Sequence, residues 1–274
     1  MHESSTSDAQ IRASLARARA LADRRVRDAL GCFWIEGIRN FVQAYEGRFH
    51  FETIIYSPVL LKSIIAARLV RRLAAGGVPR VCVSPEQFRS TSKTERASGV
   101  SAIVRQRWTP LDDVQPASGL CWLIVERIRS PGNLGSIVRT AEACGAGGLV
   151  FAGASCDPYD PAVVRASMGG IFHVKLVRAT HTQLAGWASA RRVTLVGLSP
   201  EAERWWTALP AAHALAFVLG DERKGLSDGL RRLCHTTVRL PMCGRADSLN
   251  VSVAAGVMMF EMVRREQSRQ RRQS

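Results

Sequence analysis

Hydrophobic and polar positions alternate along the carboxyl-terminal half of the chain in blocks that predict strands and helices in turn. Short apolar runs bounded by glycine, proline or polar residues are typical of buried strands, and stretches with apolar residues at helical spacing lie between them. The predicted strands are 121–125, 148–152, 193–198, 214–219 and 237–240, and the predicted helices are 134–144, 161–168, 181–190, 226–234 and 249–265. This alternation indicates an α/β domain with a parallel sheet.

The amino-terminal part predicts a smaller α/β domain of its own. Residues 8–30 read as one helix, and strands are predicted at 33–37, 51–56, 81–83 and 100–107 with helical segments between them. A stretch with two prolines and a glycine then predicts a linker. The predicted organisation is a small domain at 1–108, a linker at 109–119, a parallel-sheet domain at 120–265 and a frayed basic tail at 266–274.

The charge of the chain points to a polyanionic partner. Lysine and arginine number 38 against 23 acidic residues, which gives a formal net charge of +15. Cationic side chains gain affinity for nucleic acid by displacing counterions from phosphates. The arginines of the first predicted helix add a dense local positive charge, so we expect an RNA-binding surface there.

Cysteine and histidine positions argue against a metal site. The seven cysteines and six histidines show no spacing typical of zinc ligands, so no metal is expected. Cysteines within apolar runs predict buried free thiols, which suit a reducing cytoplasm. No signal peptide is visible at the amino terminus, and no apolar run approaches the roughly 20 residues that cross a bilayer, so no membrane association is expected.

Candidate chemistry lies in three segments that follow or close predicted strands. In the first, residues 133–141, Asn133 is expected to cap a helix and Arg139 to project from its early turns, while Gly145 is expected to end that helix. Ligands of open parallel sheets bind at the carboxyl ends of strands. We therefore expect Arg139 to lie beside a bound ligand.

The second and third segments place further polar groups at strand ends. In residues 219–227, Gly220 and Gly225 allow a sharp turn and a close approach to a ligand, and Glu222 can orient a cationic group or a substrate hydroxyl. In residues 240–251, Asp247 or Ser248 is expected to cap the last helix. That helix carries a broad apolar face, which suits either the core or a dimer contact.

In their order and spacing, these three segments resemble the signature motifs of the SpoU/TrmH branch of the SPOUT RNA methyltransferases. The resemblance implies a deep trefoil knot, a homodimer with the last helix near the interface, and methyl transfer from S-adenosylmethionine to a ribose 2′-hydroxyl. It implies catalytic roles for Asn133, Arg139, Glu222, Ser248 and Asn250. It implies cofactor-binding roles for Leu219, Gly220, Leu240, Met242 and Leu249.

Residues 24–40 resemble the start of the family's substrate-binding domain, which is similar to ribosomal protein L30e and binds RNA. Residues 130–139, 157–161 and 164–167 look most like the avilamycin-resistance rRNA methyltransferases. Two residues depart from the family pattern, Asp221 in the second segment and Glu126 after the first strand. The resemblance favours large-subunit rRNA as the substrate, with tRNA ribose methylation and a non-catalytic role in RNA binding or ribosome assembly as alternatives.

The expected role of Arg139 follows from the chemistry of its side chain. An arginine guanidinium stays protonated in proteins, so it cannot serve as a free base. We expect it instead to stabilise the alkoxide that develops on the ribose by charge and hydrogen bonding. Glu222 and Asn133 are expected to hold the guanidinium and the ribose in place.

Overall fold

The structure is a computed structural model that describes residues 7–94, 96–117, 119–153, 156–210 and 214–273. Its helices are α1 Asp8–Ala20, α2 Arg24–Leu30, α3 Ile38–Glu46, α4 Ile64–Ala75, α5 Pro85–Arg89, α6 Pro131–Ala143, α7 Pro161–Ala166, α8 His181–Ala190, α9 Asp228–Leu233 and α10 Val251–Gln273. Its strands are β1 Cys32–Glu36, β2 Phe51–Tyr56, β3 Arg80–Cys82, β4 Val100–Arg105, β5 Trp122–Val125, β6 Gly148–Ala152, β7 Lys175–Ala179, β8 Val193–Leu198, β9 Arg204–Trp205, β10 Ala214–Leu219 and β11 Thr236–Arg239. Predictions for residues 1–6, for Ser118 in the linker, for His213 and for Ser274 in the tail concern positions outside the described residues.

The described chain forms two compact units. The first contains the residues up to Arg107 together with Tyr159–Phe172, and the second contains Trp108–Pro158 and the chain from His173 onward. The hydrophobic pattern places helix α7 with the parallel-sheet domain, whereas the structure places it in the first unit. The reason is aromatic packing, because the Tyr159 ring lies 4.5 Å and the Phe172 ring 6.3 Å from that of Phe33 in β1.

The first unit is built on a four-stranded sheet in the order β1-β4-β2-β3. Strand β4 is antiparallel to both of its neighbours, and β2 and β3 are parallel. An ion pair cluster lies at this sheet, where Glu52 binds both Arg17 of α1 and Arg105 of β4. Burial alone would raise the pKa of Glu52, but the hydrogen bond and charge of Arg17 lower it overall.

The single helix expected over residues 8–30 is wrong, because a turn divides it into α1 and α2. Asp23 caps the second helix by accepting a hydrogen bond from the backbone N–H of Arg25 at 2.7 Å. Arg27 is only 2% exposed and donates to the carbonyl oxygens of Leu21 and Ala22 at 2.7 and 2.8 Å. The carbonyl groups just beyond the end of α1 are thus satisfied by Arg27, whose burial removes it from the RNA-binding surface expected of these arginines.

The second unit contains a seven-stranded sheet in the order β7-β6-β5-β10-β8-β11-β9, and every pairing in it is parallel. The prediction of a parallel α/β domain is therefore confirmed. Strands β5, β6 and β10 are fully buried along their length, as expected for a sheet covered on both faces. The sequence did not predict β7 and β9, which form the two edges of the sheet. The trefoil knot stays a prediction.

Helix α10 continues through Gln273, so the prediction of a frayed basic tail is wrong. Glu261 is 3% exposed and binds Arg264 and Arg265 at 2.7 and 2.9 Å, one helical turn further on. Pairs three and four residues apart stabilise a helix, which explains why this polar sequence stays helical. No helix in the described ranges is long and apolar enough to span a membrane.

Candidate active site

The adjacent strands β5 and β10 bring two of the three motif segments together. Leu219 pairs with Val125 at the carboxyl end of both strands, and the Glu126 N–H donates to the Leu219 carbonyl oxygen at 3.1 Å. The turn that follows β5 therefore lies beside the loop that follows β10. Parallel pairing thus joins residues about 90 positions apart in the chain at one edge of the sheet.

The first turn of α6 presents Asn133 toward this edge. The helix is capped by Ser130, whose hydroxyl accepts from the Asn133 backbone N–H at 3.4 Å, and Pro131 occupies its first position. The expectation that Asn133 caps the helix is therefore wrong. Its side chain is free for another role because Ser130 already satisfies the backbone. Gly145 follows the last turn of α6 with a φ of +69°, the left-handed backbone conformation that often ends an α-helix.

A chain of hydrogen bonds links all three motif segments through Glu222. Its carboxylate accepts from the backbone N–H groups of Arg129 and Ser130, each at 3.1 Å, and from the Asn133 amide at 3.0 Å. The Asn133 carbonyl oxygen in turn accepts from the Asn250 amide at 2.9 Å. The structure therefore brings Asn133, Glu222 and Asn250 together, as the resemblance implies.

Asn250 also begins the last helix. Its side-chain oxygen accepts from the Ser252 backbone N–H at 2.8 Å, and its carbonyl oxygen accepts from the Ala254 N–H. The expected cap at Asp247 or Ser248 is therefore wrong. Because the residue that starts α10 also binds Asn133, the position of this helix and the geometry of the hydrogen-bond chain depend on each other.

The two carboxylates of the second segment are both held in their charged form. Burial alone would raise the pKa of Glu222, but the hydrogen bonds from Asn133 and from the Ser130 and Arg129 backbone lower it overall. The pKa of Asp221 is lowered first by the backbone N–H of Arg223 and also by the Arg129 side chain. Neither group can serve as a proton donor near neutral pH.

Arg139 and Ser248 stand apart from this chain of hydrogen bonds. Arg139 is exposed on α6 and has no hydrogen-bond or ion-pair partner among the residues that the structure describes. Its expected contact with Glu222 and Asn133 is therefore not seen. Ser248 is exposed and lines the adjacent cavity.

A cavity of about 190 Å³ opens beside Glu222. All five residues expected to bind the cofactor line its wall: Leu219, Gly220, Leu240, Met242 and Leu249. Gly220 is required by the loop itself, because a Cβ atom there would overlap the carbonyl oxygen of Gly225. Gly225 has a φ of +68°, which favours glycine.

Two arginines at this site were missed by sequence reasoning. Arg239 lines the cavity and lies 4.2 Å over the Trp205 ring, and its Nε atom is buried without a hydrogen-bond partner. Arg129 binds Asp221, Nε to Oδ2, at 2.8 Å. The only sequence signal was position, because Arg239 lies near the end of the predicted strand 237–240 and Arg129 lies in the turn after the predicted strand 121–125. Within the described ranges, no cluster of three metal-binding side chains occurs.

Comparison with known proteins gives consistent matches along the chain. The SpoU rRNA Methylase family matches residues 121–260, and the MRM3-like substrate binding domain matches residues 13–102. A 23S rRNA (uridine(2479)-2′-O)-methyltransferase of Streptomyces viridochromogenes is 32% identical over 251 residues, which cover 89% of this chain and 86% of the relative. A 23S rRNA (guanosine(2553)-2′-O)-methyltransferase of Bacillus subtilis is 24% identical over 79% of this chain and 86% of the relative.

Two solved structures are similar over nearly the whole chain. The SpoU methyltransferase AviRb from Streptomyces viridochromogenes in complex with AdoMet has a TM-score of 0.85 and 30% identity, and the match covers 93% of this chain and 98% of that one. The AdoMet-bound rRNA methyltransferase from Sinorhizobium meliloti has a TM-score of 0.84 and 29% identity, and the match covers 92% and 94%.

Proposed function

The chain belongs to the SpoU rRNA methylase family, and from that premise we propose that it methylates a ribose 2′-hydroxyl of large-subunit rRNA, with S-adenosylmethionine as the methyl donor. The observation that carries the proposal is the hydrogen-bonded chain of Asn250, Asn133 and Glu222, the last of which lines the cavity. It unites the three family motifs at the carboxyl edge of the sheet, where ligands of such sheets bind.

The cavity has the chemistry to hold S-adenosylmethionine. Leu198, Val238 and Leu240 give it apolar walls for a purine, and the unpaired Nε of Arg239 offers a donor for a carboxylate or a sugar oxygen. The ionised Asp221 and Glu222 make one side of the cavity suitable for a cationic group. When bound, this cofactor supplies an electrophilic methyl group carried on a positively charged sulfur.

The residues of this chain would then position and activate the ribose oxygen. As the 2′-hydroxyl proton passes to solvent water and the oxygen takes the methyl group, the permanent charge of Arg139 would stabilise the developing alkoxide. Its exposure and lack of a partner among the described residues leave the guanidinium available for that contact. Glu222, Asn133 and Asn250 fix the first turn of α6, and with it the direction in which Arg139 is presented.

The choice of rRNA rests on the first unit and on the relatives. That unit matches a substrate binding domain, and two of the similar proteins act on 23S rRNA by name. A net charge of +15 suits a large RNA partner. An rRNA substrate would place the reaction in the cytoplasm.

We also propose that the enzyme works as a homodimer through helix α10. The side chains of Val253, Val257 and Phe260 recur every three or four residues and are 51%, 37% and 54% exposed. They form a continuous apolar row on one face of the helix, and such rows mark protein contacts. The opposite face of α10 is already filled by the buried Met258 and Met259.

The test of the proposed function is transfer of labelled methyl from S-adenosylmethionine to separated rRNA and tRNA from an unmodified host, followed by nucleoside analysis. We expect a 2′-O-methylnucleoside in 23S rRNA and a loss of about 10²-fold in rate with Arg139→Ala, whose cofactor affinity should be unchanged. Label in tRNA would overturn the choice of substrate. Near-normal turnover in the variant would overturn the role of Arg139, and no cofactor binding would favour a non-catalytic RNA-binding protein.

A further inference from the structure

We propose that Arg129 is a positioning residue that fixes the Asp221–Gly225 loop and thereby presents Glu222 to Asn133. The inference rests on the proposed function and adds a residue outside the three family motifs. Its basis is that Arg129 contacts both consecutive carboxylates of the loop. Its backbone N–H donates to Glu222 Oε2 at 3.1 Å, and its side-chain Nε donates to Asp221 Oδ2 at 2.8 Å.

Asp221 is the internal support of the loop. Its other oxygen, Oδ1, accepts from the backbone N–H groups of Arg223 and Lys224 at 2.9 and 3.1 Å. The backbone groups of Asp221 and Gly225 exchange two further hydrogen bonds of 2.9 Å. The loop is therefore a closed unit, and whatever holds the Asp221 side chain holds the whole segment, including Glu222.

The turn that carries Arg129 is itself fixed in place. Ile128 is 4% exposed, and its backbone N–H donates to the Cys156 sulfur at 3.1 Å. Ser130, on the other side, caps α6. The backbone at Arg129 is therefore fixed on both sides. Its ion pair with Asp221 holds the neighbouring loop in a defined position relative to the β5–α6 turn.

The ion pair is asymmetric, and this asymmetry separates it from an ordinary surface contact. The Arg129 side chain is 60% exposed, but the Asp221 side chain is only 3% exposed. Exposed pairs contribute little, whereas removal of one partner of a buried carboxylate leaves an uncompensated charge. Without Arg129, that charge would lie next to the ionised Glu222 and would push the two carboxylates apart.

The chain departs from the family pattern at Asp221, and Arg129 provides the matching cation. An acidic residue beside Glu222 would by itself disturb the site by like-charge repulsion. Arg129 removes that repulsion while using a second contact, its backbone N–H, to orient Glu222. We therefore expect the two residues to depend on each other, so that loss of the arginine is harmful only while the aspartate is present.

The experiment compares Arg129→Met, Asp221→Asn and the double variant in the full-length protein. We expect Arg129→Met to lower kcat for rRNA methylation about tenfold or more, with a smaller change in the KM for rRNA. Asp221→Asn keeps the Oδ1 acceptor and should cost about threefold or less. The double variant should recover toward the Asp221→Asn level, because the uncompensated charge is gone. Arg232→Met, which removes an exposed arginine of the same unit, is the matched control and should retain wild-type kcat.

Hydrogen exchange gives a second measurement that does not depend on activity. The amides of residues 221–225 should exchange faster in Arg129→Met than in wild type, and the double variant should restore their protection. Equal exchange and equal kcat in Arg129→Met and wild type would overturn the inference, as would equal losses in the single and double variants. If wild type methylates no RNA, the proposed function fails, and the exchange data still decide whether Arg129 holds the loop.

Discussion

Replacement of Asn133 by aspartate should make the methylation rate depend on whether one proton is bound between residues 133 and 222. The substitution keeps the size of the side chain and the oxygen that accepts from Asn250, but it removes the amide that donates to Glu222. Two carboxylate oxygens then face each other at the present donor–acceptor distance of 3.0 Å. The backbone N–H groups of Arg129 and Ser130 still hold Glu222, so it cannot easily turn away.

The size of the effect can be worked out from this geometry. Two unit charges 3 Å apart repel by about 5 kcal/mol at an effective dielectric constant near 20. The lost hydrogen bond to a charged group adds about 1.5–3 kcal/mol. Glu222 is only half-buried, so solvent screening reduces this sum, and a remaining penalty of about 3 kcal/mol raises the shared pKa by about two units, since one unit corresponds to about 1.4 kcal/mol. The pair therefore takes up a proton, and the protonated carboxyl restores the missing donor.

The sign of the pH dependence follows from this uptake of a proton. The shared proton has a raised pKa, so the competent form of Asn133→Asp is populated below that pKa and is lost as the pH rises through it. We expect kcat to be about 10²-fold below wild type at pH 8 and to recover by up to tenfold per pH unit on acidification to pH 6. Asn133→Ala has no such proton to gain, so its ratio to wild type should not change with pH.

The assay is single-turnover methyl transfer to 23S rRNA between pH 6 and 8, with rates compared as variant-to-wild-type ratios. Ser189→Asp makes the same change in net charge at an exposed site on α8 and serves as the control. Cofactor affinity and thermal unfolding of the variants show whether the site is otherwise intact. A pH-independent ratio for Asn133→Asp, or a wild-type rate at pH 8, would refute the contact between residues 133 and 222.

Three further outcomes follow from the structure. Removal of the first 107 residues should cause aggregation or a lower melting temperature, because the buried apolar side chains of Tyr159–Phe172 lose their packing partners; an unchanged melting temperature would contradict the assignment of that segment. Gly220→Ala should weaken S-adenosylmethionine binding in calorimetry, since its Cβ has no space, whereas Gly244→Ala, where space is open, should bind normally. Light scattering should report a dimer for wild type and a monomer for Phe260→Glu, with Ser268→Glu as a control that stays dimeric. A dimeric Phe260→Glu would show that the interface does not include this face of α10.

The hydrophobic pattern was most informative where burial is complete. Residues 148–152 and 214–219 were predicted at the bounds of β6 and β10, because a strand covered on both faces must be apolar along its whole length. Residues 193–198 were also predicted at the bounds of β8, although the half-buried Thr194 interrupts its apolar run. The edge strands β7 and β9 were missed because one is a mixed sequence and the other is two residues long. Lateral pairing, which defines these strands, leaves little trace in a local pattern.

Local capping chemistry was predicted less well than strand positions. Ser130 and Asn133 both carry side chains that cap helices, and the pattern alone favoured the wrong one. Pro131, a residue common at the first helical position, was the signal for Ser130. At α10, Asn250 was assigned a catalytic role from resemblance, while its second role as the helix cap depends on a contact with the Ser252 backbone.

Long-range partners could not be predicted at all from spacing. Arg129 and Asp221 are 92 positions apart, and Asn133 and Asn250 are 117 apart. The family motifs single out Asn133 and Asn250, but the local sequence around each residue does not identify its hydrogen-bond partner. Only the parallel pairing of β5 with β10 and the packing of α10 bring them within hydrogen-bond distance.

The distribution of charge separates positioning from catalysis among the proposed residues. Among the described residues, the donors to Glu222 are neutral backbone and amide groups, so its carboxylate keeps a full negative charge beside the cavity. A cationic sulfur loses its positive charge as its methyl group is transferred. An anion beside that sulfur therefore stabilises the bound reactant more than the transition state. Glu222 is therefore better suited to orienting neighbouring groups than to driving transfer. The group whose interaction strengthens during the reaction is a cation beside the ribose oxygen, and on α6 that cation is Arg139.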